Sequence, residues 1–298
     1  MKAASEIRIG LVNNMPTAAR NATTRQFRDL LHAAAGSTLI RLKLFSMTEH
    51  HDDADPSIVY APVETIFHAG IDALIFTGAE PTKADLRDEP YWPRLSQLFD
   101  WTEENGVPAI LSCLAGHAAA LHFDGIARRP LTEKCFGVFD ETVYTDHPLL
   151  DGLPGKLKIP HSRWNELPPQ DLVDAGYQVL TYSASAGADI FVRQGRSLLL
   201  YFQGHPEYEA NRLWLEYRRD ARRFIAGMLR DYPNLPHGYF DSPTEKILTA
   251  FRQTVMHANS NVSEIDFPAT VTAPRYASWR PGAERVVRNW FRFVCGHA

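Results

Sequence analysis

Long apolar runs are missing from this chain. None reaches the roughly 18 residues a membrane-spanning helix needs, so no membrane span is expected. Cysteine is scarce: Cys113, Cys135 and Cys295 are the only three in 298 residues. An odd number at wide spacing excludes a disulfide framework, and the lack of a CxxC pair excludes the usual zinc pattern. No metal is therefore expected, and a reducing cytoplasm is the expected location. The first residues lack the cationic start and apolar stretch of a secretory signal. Neither sign of charge dominates: the net charge is -4, which argues against a nucleic-acid binder. Basic residues gather only at Arg218, Arg219, Arg222 and Arg223, where a solvated helix face is the expected reading. Internal repeats and low-complexity tracts are also absent.

Hydrophobic residues make up 45% of the chain, enough for a packed core. Ile7 to Asn14 is a β-branched run that predicts a buried strand. Met15 to Thr24 is polar and predicts a loop. Arg25 to Ala35 has apolar residues at helical spacing and is stopped by Gly36. Thr38 to Phe45, Ala73 to Thr77 and Ala109 to Ser112 predict strands. Tyr91 to Glu104 and Leu114 to Phe123 predict helices, the first with Trp92, Leu95, Leu98 and Trp101 on one side. Strands alternating with helices argue for an α/β fold, a mostly parallel sheet covered on both faces. Short strands follow at Val138 to Tyr144, Tyr177 to Tyr182, Asp189 to Val192 and Ser197 to Phe202. Glu209 to Asp231 predicts a long helix with Leu213, Tyr217, Phe224 and Met228 as its buried stripe. The tail from Thr244 to Ala298 predicts two helical stretches around a Pro- and Thr-containing segment near Ser260 to Pro274. The chain is expected to be one domain, residues 1–298, with a helical extension over about 244–298.

Cys113 stands between a strand and a helix. A tight turn there pushes the sulfur out above the sheet edge, at a helix N-terminus whose partial positive charge favours a thiolate. Backbone N–H groups of such a turn suit an oxyanion. A cysteine in this place also reads as a small buried hydrophobe. The second element is Gln203-Gly204-His205-Pro206-Glu207, directly after a strand and so at the carboxyl edge where open α/β sheets bind ligands. In an extended segment His205 and Glu207 point the same way. The carboxylate then orients one imidazole nitrogen while the other faces Cys113, the nucleophile, base and orienter of acyl transfer. A lone histidine there also reads as a loop or capping residue; it is the pairing with Cys113 that favours catalysis.

The strand–Cys–helix element and the later His-x-Glu resemble the class I glutamine amidotransferase-like (flavodoxin-like) fold. The flanking residues resemble, more narrowly, the homoserine O-acyltransferases built on it. The shared landmarks are Asn14-Met15-Pro16, Thr77-Gly78-Ala79, Tyr91-Trp92-Pro93, Thr132-Glu133-Lys134 with Gly137-Val138, and Pro160-His161-Ser162-Arg163. Gly204-His205-Pro206-Glu207-Tyr208 and Ala277-Ser278-Trp279-Arg280 complete them, in order over nearly the whole chain. The resemblance implies that Cys113 carries an acyl-thioester, with His205 as general base and Glu207 as its partner. It implies that Lys134, Ser162, Glu216 and Arg219 bind the amino-acid substrate. Glu216 and Arg219, three apart on a helix, share a face suited to an α-ammonium and an α-carboxylate. No cofactor is implied beyond acyl-CoA as co-substrate. The implied partners are acyl-CoA and homoserine (or serine), with a homodimer left open.

Two features depart from the family pattern. Thr17 and Ala18 stand where paired lysines are expected, and the chain begins close to the first strand, without the extension of long members. The position near Thr82 tracks the donor in the family, a small Gly going with succinyl and a Glu with acetyl; Thr82 is neither, and its β-branched side chain narrows the space. Thr82 is neutral and does not repel a succinyl carboxylate, so succinyl-CoA is favoured over acetyl-CoA. The expected reaction is ping-pong transfer to the homoserine hydroxyl, in methionine biosynthesis. A serine O-acyltransferase of the same mechanism is an alternative, since the two acceptors differ by one methylene. Of the other classes, a glutamine amidotransferase subunit is the first alternative, opposed by the Tyr91-Trp92-Pro93, Thr132-Glu133-Lys134 and His161-Ser162-Arg163 landmarks. A non-catalytic binding relative is the second, opposed by the intact Cys113, His205 and Glu207.

Overall fold

The structure, a computed structural model, describes residues 6–47, 58–257 and 267–296. In chain order its first half runs β1 (Glu6–Asn13), α1 (Thr17–Ala35), β2 (Leu39–Ser46), β3 (Ala61–Pro62), β4 (Ala73–Phe76), α2 (Trp92–Glu104), β5 (Ala109–Ser112) and α3 (Leu114–Asp124). Then come β6 (Arg129–Val143), β7 (Lys156–Glu166), α4 (Pro169–Asp174), β8 (Gln178–Val179), β9 (Thr181–Ser183), β10 (Gly187–Ala188), β11 (Ile190–Gln194) and β12 (Leu198–Phe202). Three helices close the chain: α5 (Arg212–Ile225), α6 (Ser242–His257) and α7 (Arg280–Val294).

The large sheet has the order β3-β2-β1-β4-β5-β12-β11-β8. Its strands from β3 to β12 pair in parallel; β11 alone runs the other way, pairing antiparallel with β12 on one side and β8 on the other. The expected α/β class with a mostly parallel sheet is therefore what forms. Central strands are buried on both faces, so β4 and β12 read as unbroken apolar runs and β5 as one up to Ser112. Alternate residues feed two cores. Leu198, Leu200 and Phe202 join the core beneath α1 and α7; Leu199 and Tyr201 join the one beneath α2 and α3. A smaller sheet, β10-β9-β6-β7, stands beside the large one. A third apolar cluster joins Phe136 and Val138 of β6 to Trp214 and Tyr217 of α5, Phe251 of α6 and Trp279.

Several elements differ from the sequence expectation. Met15 to Thr24 is not a loop: α1 starts at Thr17, after Pro16. Its first turns bury polar side chains, among them Thr23 and Thr24, so no apolar stripe marks them. Asn13 supplies the compensation, its Nδ2 donating to Arg20 O and Thr24 Oγ1 at 3.0 Å. The long helix expected to reach Asp231 ends at Ile225, before Gly227 with φ 71°. Leu213 and Tyr217 are buried as expected, but Met228 lies beyond the helix end and is 74% exposed. Tyr177 to Tyr182 is not one strand. The chain changes sheets there, β8 joining the large sheet and β9 the small one. The strand expected over Val138 to Tyr144 is the end of a longer one, β6. The tail holds the two expected helices, and the segment near Ser260 to Pro274 lies partly outside the described residues. Among the described residues no helix is long and apolar enough to cross a membrane, and no cluster of His, Cys, Asp and Glu has the makings of a metal site.

Candidate active site

The loops that follow β1, β4, β5 and β12 all leave the carboxyl edge of the parallel strands, and the site is built there. Ser112 ends β5 and Leu114 begins α3. Cys113 joins them with φ 51° and ψ -114°, the one positive φ at a non-glycine position among the described residues. Such a conformation costs an L-residue about 1–3 kcal/mol and lifts its side chain clear of the sheet. The turn is pinned from β12: Cys113 N–H donates to Phe202 O at 2.7 Å. The β4 loop closes over it. A Cβ at Gly78 would stand 2.9 Å from the Leu114 nitrogen, so only glycine permits this approach. The first amides of α3 have no partner within the helix. Backbone donors are thus available beside the sulfur, as stabilisation of an oxyanion requires.

His205 Nδ1 lies 2.9 Å from Glu207 Oε1. The expected extended segment is instead a tight turn, in which Tyr208 N–H donates to His205 O at 3.2 Å. The chain folds the carboxylate back on the ring rather than aligning the two along a strand. Nδ1 is taken by Glu207, and the ring lies within electrostatic reach of Cys113. Burial opposes a charge on this imidazole. Cys113 and Glu207 outweigh it and raise the His205 pKa well above the ordinary value. Tyr208 stacks on the ring with centroids 4.2 Å apart and planes within 13°.

Buried polar groups seat this turn from behind. His205 N–H donates to Pro160 O at 2.8 Å, and Gly204 N–H to Asp189 Oδ1 at 2.5 Å. Asp189, His161 and Glu141 are all fully buried. His161 Nε2 stands 3.5 Å from Glu141 Oε1 and 3.8 Å from Asp189 Oδ1. Burial, with the nearby Arg163 charge, drives His161 well below its usual pKa. Burial raises both carboxyls, that of Glu141 further because Asp189 repels its charge. Gln203 joins the two halves of the site. Its Oε1 accepts from His117 of α3 at 3.1 Å, and its Nε2 donates to Ala188 O at 2.6 Å. Burial keeps His117 neutral, its pKa lowered to about 3, so the ring donates in that bond.

The other sequence candidates meet around Glu216, which is buried on α5. Ser162 Oγ donates to Glu216 Oε2 at 2.5 Å, and Lys134 Nζ stands 3.9 Å from it. Tyr208 Oη and Arg212 Nε donate to Glu216 Oε1 at 2.8 and 3.1 Å. Burial would raise this carboxyl, yet Lys134, Arg212 and Ser162 more than offset it and hold it below the ordinary value. Arg219 is not the hydrogen-bonding partner of Glu216. Its Nε donates to Asp220 at 2.8 Å and its side chain is half exposed, although it stays within electrostatic reach of Glu216. Arg212 takes the partner's place because position i-4 stacks under Glu216 on the helix. Thr82 lies on the loop after β4, where Glu89 accepts from Thr82 Oγ1 at 3.1 Å and from Lys83 N–H at 2.7 Å. The hydrogen bonds of Thr82 are thus with Glu89.

Sequence reasoning missed Arg212, Asp220, Gln203, Asp189 and Glu141. Helical spacing from Glu216 is a signal for the first two. Gln203 belongs to the same segment as His205; nothing in the sequence points to Asp189 and Glu141, which reach the site only through sheet pairing.

The whole chain, residues 1–298, matches a family model described as homoserine O-succinyltransferase. It is similar to a homoserine O-succinyltransferase of Rhodopseudomonas palustris, 45% identical over 97% of this chain and 88% of that one. A homoserine O-succinyltransferase of Methylorubrum extorquens is 41% identical over 97% of this chain and 87% of that one. Among solved structures, a glutamine amido transferase from Methylobacillus flagellatus is similar with a TM-score of 0.56 at 18% identity, covering 97% of this chain and 95% of the other. A glutamine amidotransferase from Thermotoga maritima follows with a TM-score of 0.51 at 12% identity, covering 97% of each. At these identities the likeness is one of fold.

Proposed function

The chain belongs to the homoserine O-succinyltransferase family, and from that premise we propose that Cys113 carries the succinyl group as a thioester, with His205 as its base and Glu207 as the group that orients the base. The enzyme is an O-succinyltransferase that uses homoserine and an acyl-CoA. The observation that carries the mechanism is Cys113 on its positive-φ turn, within electrostatic reach of a histidine whose Nδ1 is 2.9 Å from Glu207 Oε1.

In the first half-reaction the Cys113 thiolate attacks the thioester carbonyl of succinyl-CoA. The tetrahedral oxyanion rests on backbone N–H groups at the start of α3. The C–S bond to CoA breaks, and the departing sulfur takes the proton held by His205. Homoserine then enters. Neutral His205 removes the proton of its hydroxyl, the oxygen attacks the acyl-enzyme, and Cys113 leaves as thiolate beside a protonated His205. Both half-reactions use the same donors.

Lys134, Ser162, Glu216 and Arg219 form the amino-acid subsite in this reading. Glu216, held ionised by its neighbours, meets the α-ammonium. Arg219, half exposed at the rim, exchanges Asp220 for the α-carboxylate. Thr82 borders the acyl pocket without a charge to oppose the succinyl carboxylate.

Intact-protein mass spectrometry tests this. Succinyl-CoA without acceptor should add one succinyl group to the wild type and none to Cys113→Ala, and homoserine should remove it. An unchanged mass in the wild type would reject the covalent route.

A further inference from the structure

We propose that the arginine face of α5 binds the 3′-phospho-ADP end of the acyl-CoA donor, an inference that rests on the acyl-CoA reading above. Arg218, Arg219, Arg222 and Arg223 line a cavity of about 390 Å³ together with Leu215 and Met228. Asp220 is the one carboxylate paired with these guanidinium groups among the described residues, at 2.8 Å from Arg219 and 3.9 Å from Arg223, and it also faces Lys134 at 3.5 Å. Arg218 lies 5.7 Å over the Trp214 ring, and neither it nor Arg222 makes an ion pair among the described residues. Positive charge is therefore in surplus here, on a chain whose net charge is -4.

Helix physics gives no reason to collect it. Arg218 with Arg222, and Arg219 with Arg223, are like charges four apart, which repel. Only the last two gain from the negative end of the helix. An anion with several charges resolves that conflict, and a diphosphate with a 3′-phosphate is such an anion. Guanidinium groups suit it because they grip phosphate oxygens in pairs. Leu215 is 37% and Met228 74% exposed, an apolar surface for a purine beside the charges.

The face is continuous with the catalytic site. Glu216 lies on the flank of α5 that meets Ser162 and Lys134, and Arg219 and Arg223 border that flank. Seven residues separate Glu216 from Arg223, about 10 Å along the helix. Tyr208 ties this flank to the catalytic histidine, stacking on His205 and donating to Glu216 Oε1 at 2.8 Å, so an acyl-CoA whose thioester lies at Cys113 runs its pantetheine arm past Glu216 toward these arginines.

The test compares the full-length wild type with Arg218→Ala/Arg222→Ala, a pair that leaves the Arg219–Asp220 contact in place. Turnover is measured with succinyl-CoA and with succinyl-pantetheine, which lacks the nucleotide. Binding of adenosine 3′,5′-bisphosphate is measured by calorimetry, without chemistry. With succinyl-CoA, kcat/KM should fall about ten- to a hundredfold through KM; the loss should be confined to that donor. The bisphosphate should bind the wild type, more weakly as salt rises, and not the variant. An equal loss with both donors would overturn the proposal in favour of a structural role. So would unchanged kinetics, or a change in sedimentation without a donor effect, which would make this face a subunit contact. If the wild type turned over neither donor yet bound the bisphosphate only through these arginines, the transfer reading would fail and the nucleotide site would stand.

Discussion

Glu207 acts on His205 through a single carboxylate oxygen, and that contact sets when the imidazole gives up its proton. Burial works against the charged ring; Cys113 and Glu207 both favour it, and the balance raises its pKa. In Glu207→Gln one of the two favourable charges is gone, so the ring deprotonates at lower pH. The alkaline limb of the kcat/KM profile for succinyl-CoA should therefore move to lower pH, with kcat reduced about 10²- to 10⁴-fold. A limb that stays in place would mean that another group sets it. Single residues were also where the sequence spoke most clearly. Cys113 and His205 each follow a strand, so the alternating pattern put both at the carboxyl edge of the sheet; it is the pairing of β12 with β5 that brings them together. Arg219 shows the limit. Spacing put it on the face of Glu216, but which acid it bonds depends on Asp220 next to it and on Arg212 below.

At the scale of elements, the turn from Gly204 to Tyr208 is held by groups on other strands. Asp189 precedes β11, while Pro160 and His161 lie on β7 and Glu141 on β6. The buried Glu141 keeps its proton to higher pH in the folded chain than in the unfolded one, because burial and Asp189 disfavour its charge. The sign follows: between the ordinary glutamate value and the raised one the folded state holds the extra proton, so stability falls as pH rises. Glu141→Gln removes that dependence. Its melting temperature should decline less than that of the wild type between neutral and mildly alkaline pH. Equal slopes in the two proteins would place the alkaline loss elsewhere. α1 illustrates why elements were only partly legible. Its buried face carries Arg20, Thr23, Thr24 and Gln26. Polar residues satisfied inside a fold look like a loop when read by apolar periodicity.

Across the whole molecule, the last helix is part of the main core. Trp290 on α7 is completely buried among residues of β1, α1 and the large sheet. Asn289 caps the same contact, its Nδ2 donating to Leu149 O and Asp151 O at 3.0 Å. Trp290→Ala should destabilise the protein by about 3–5 kcal/mol, read from chemical denaturation, while acylation of Cys113 per folded molecule is kept. A small loss of stability would show that α7 docks loosely.

Periodicity and punctuation in the chain determined by themselves the α/β class, the strand-to-helix placement of Cys113 and the strand-end placement of His205, because those depend on neighbours in sequence. Tertiary structure alone decided the rest. The positive φ of Cys113, the approach of Gly78 to Leu114, the support of Gly204 by Asp189 and the charge state of Glu216 all arise between segments far apart in the chain. Their energies come from burial and from partners that only pairing of the sheets brings within hydrogen-bonding distance.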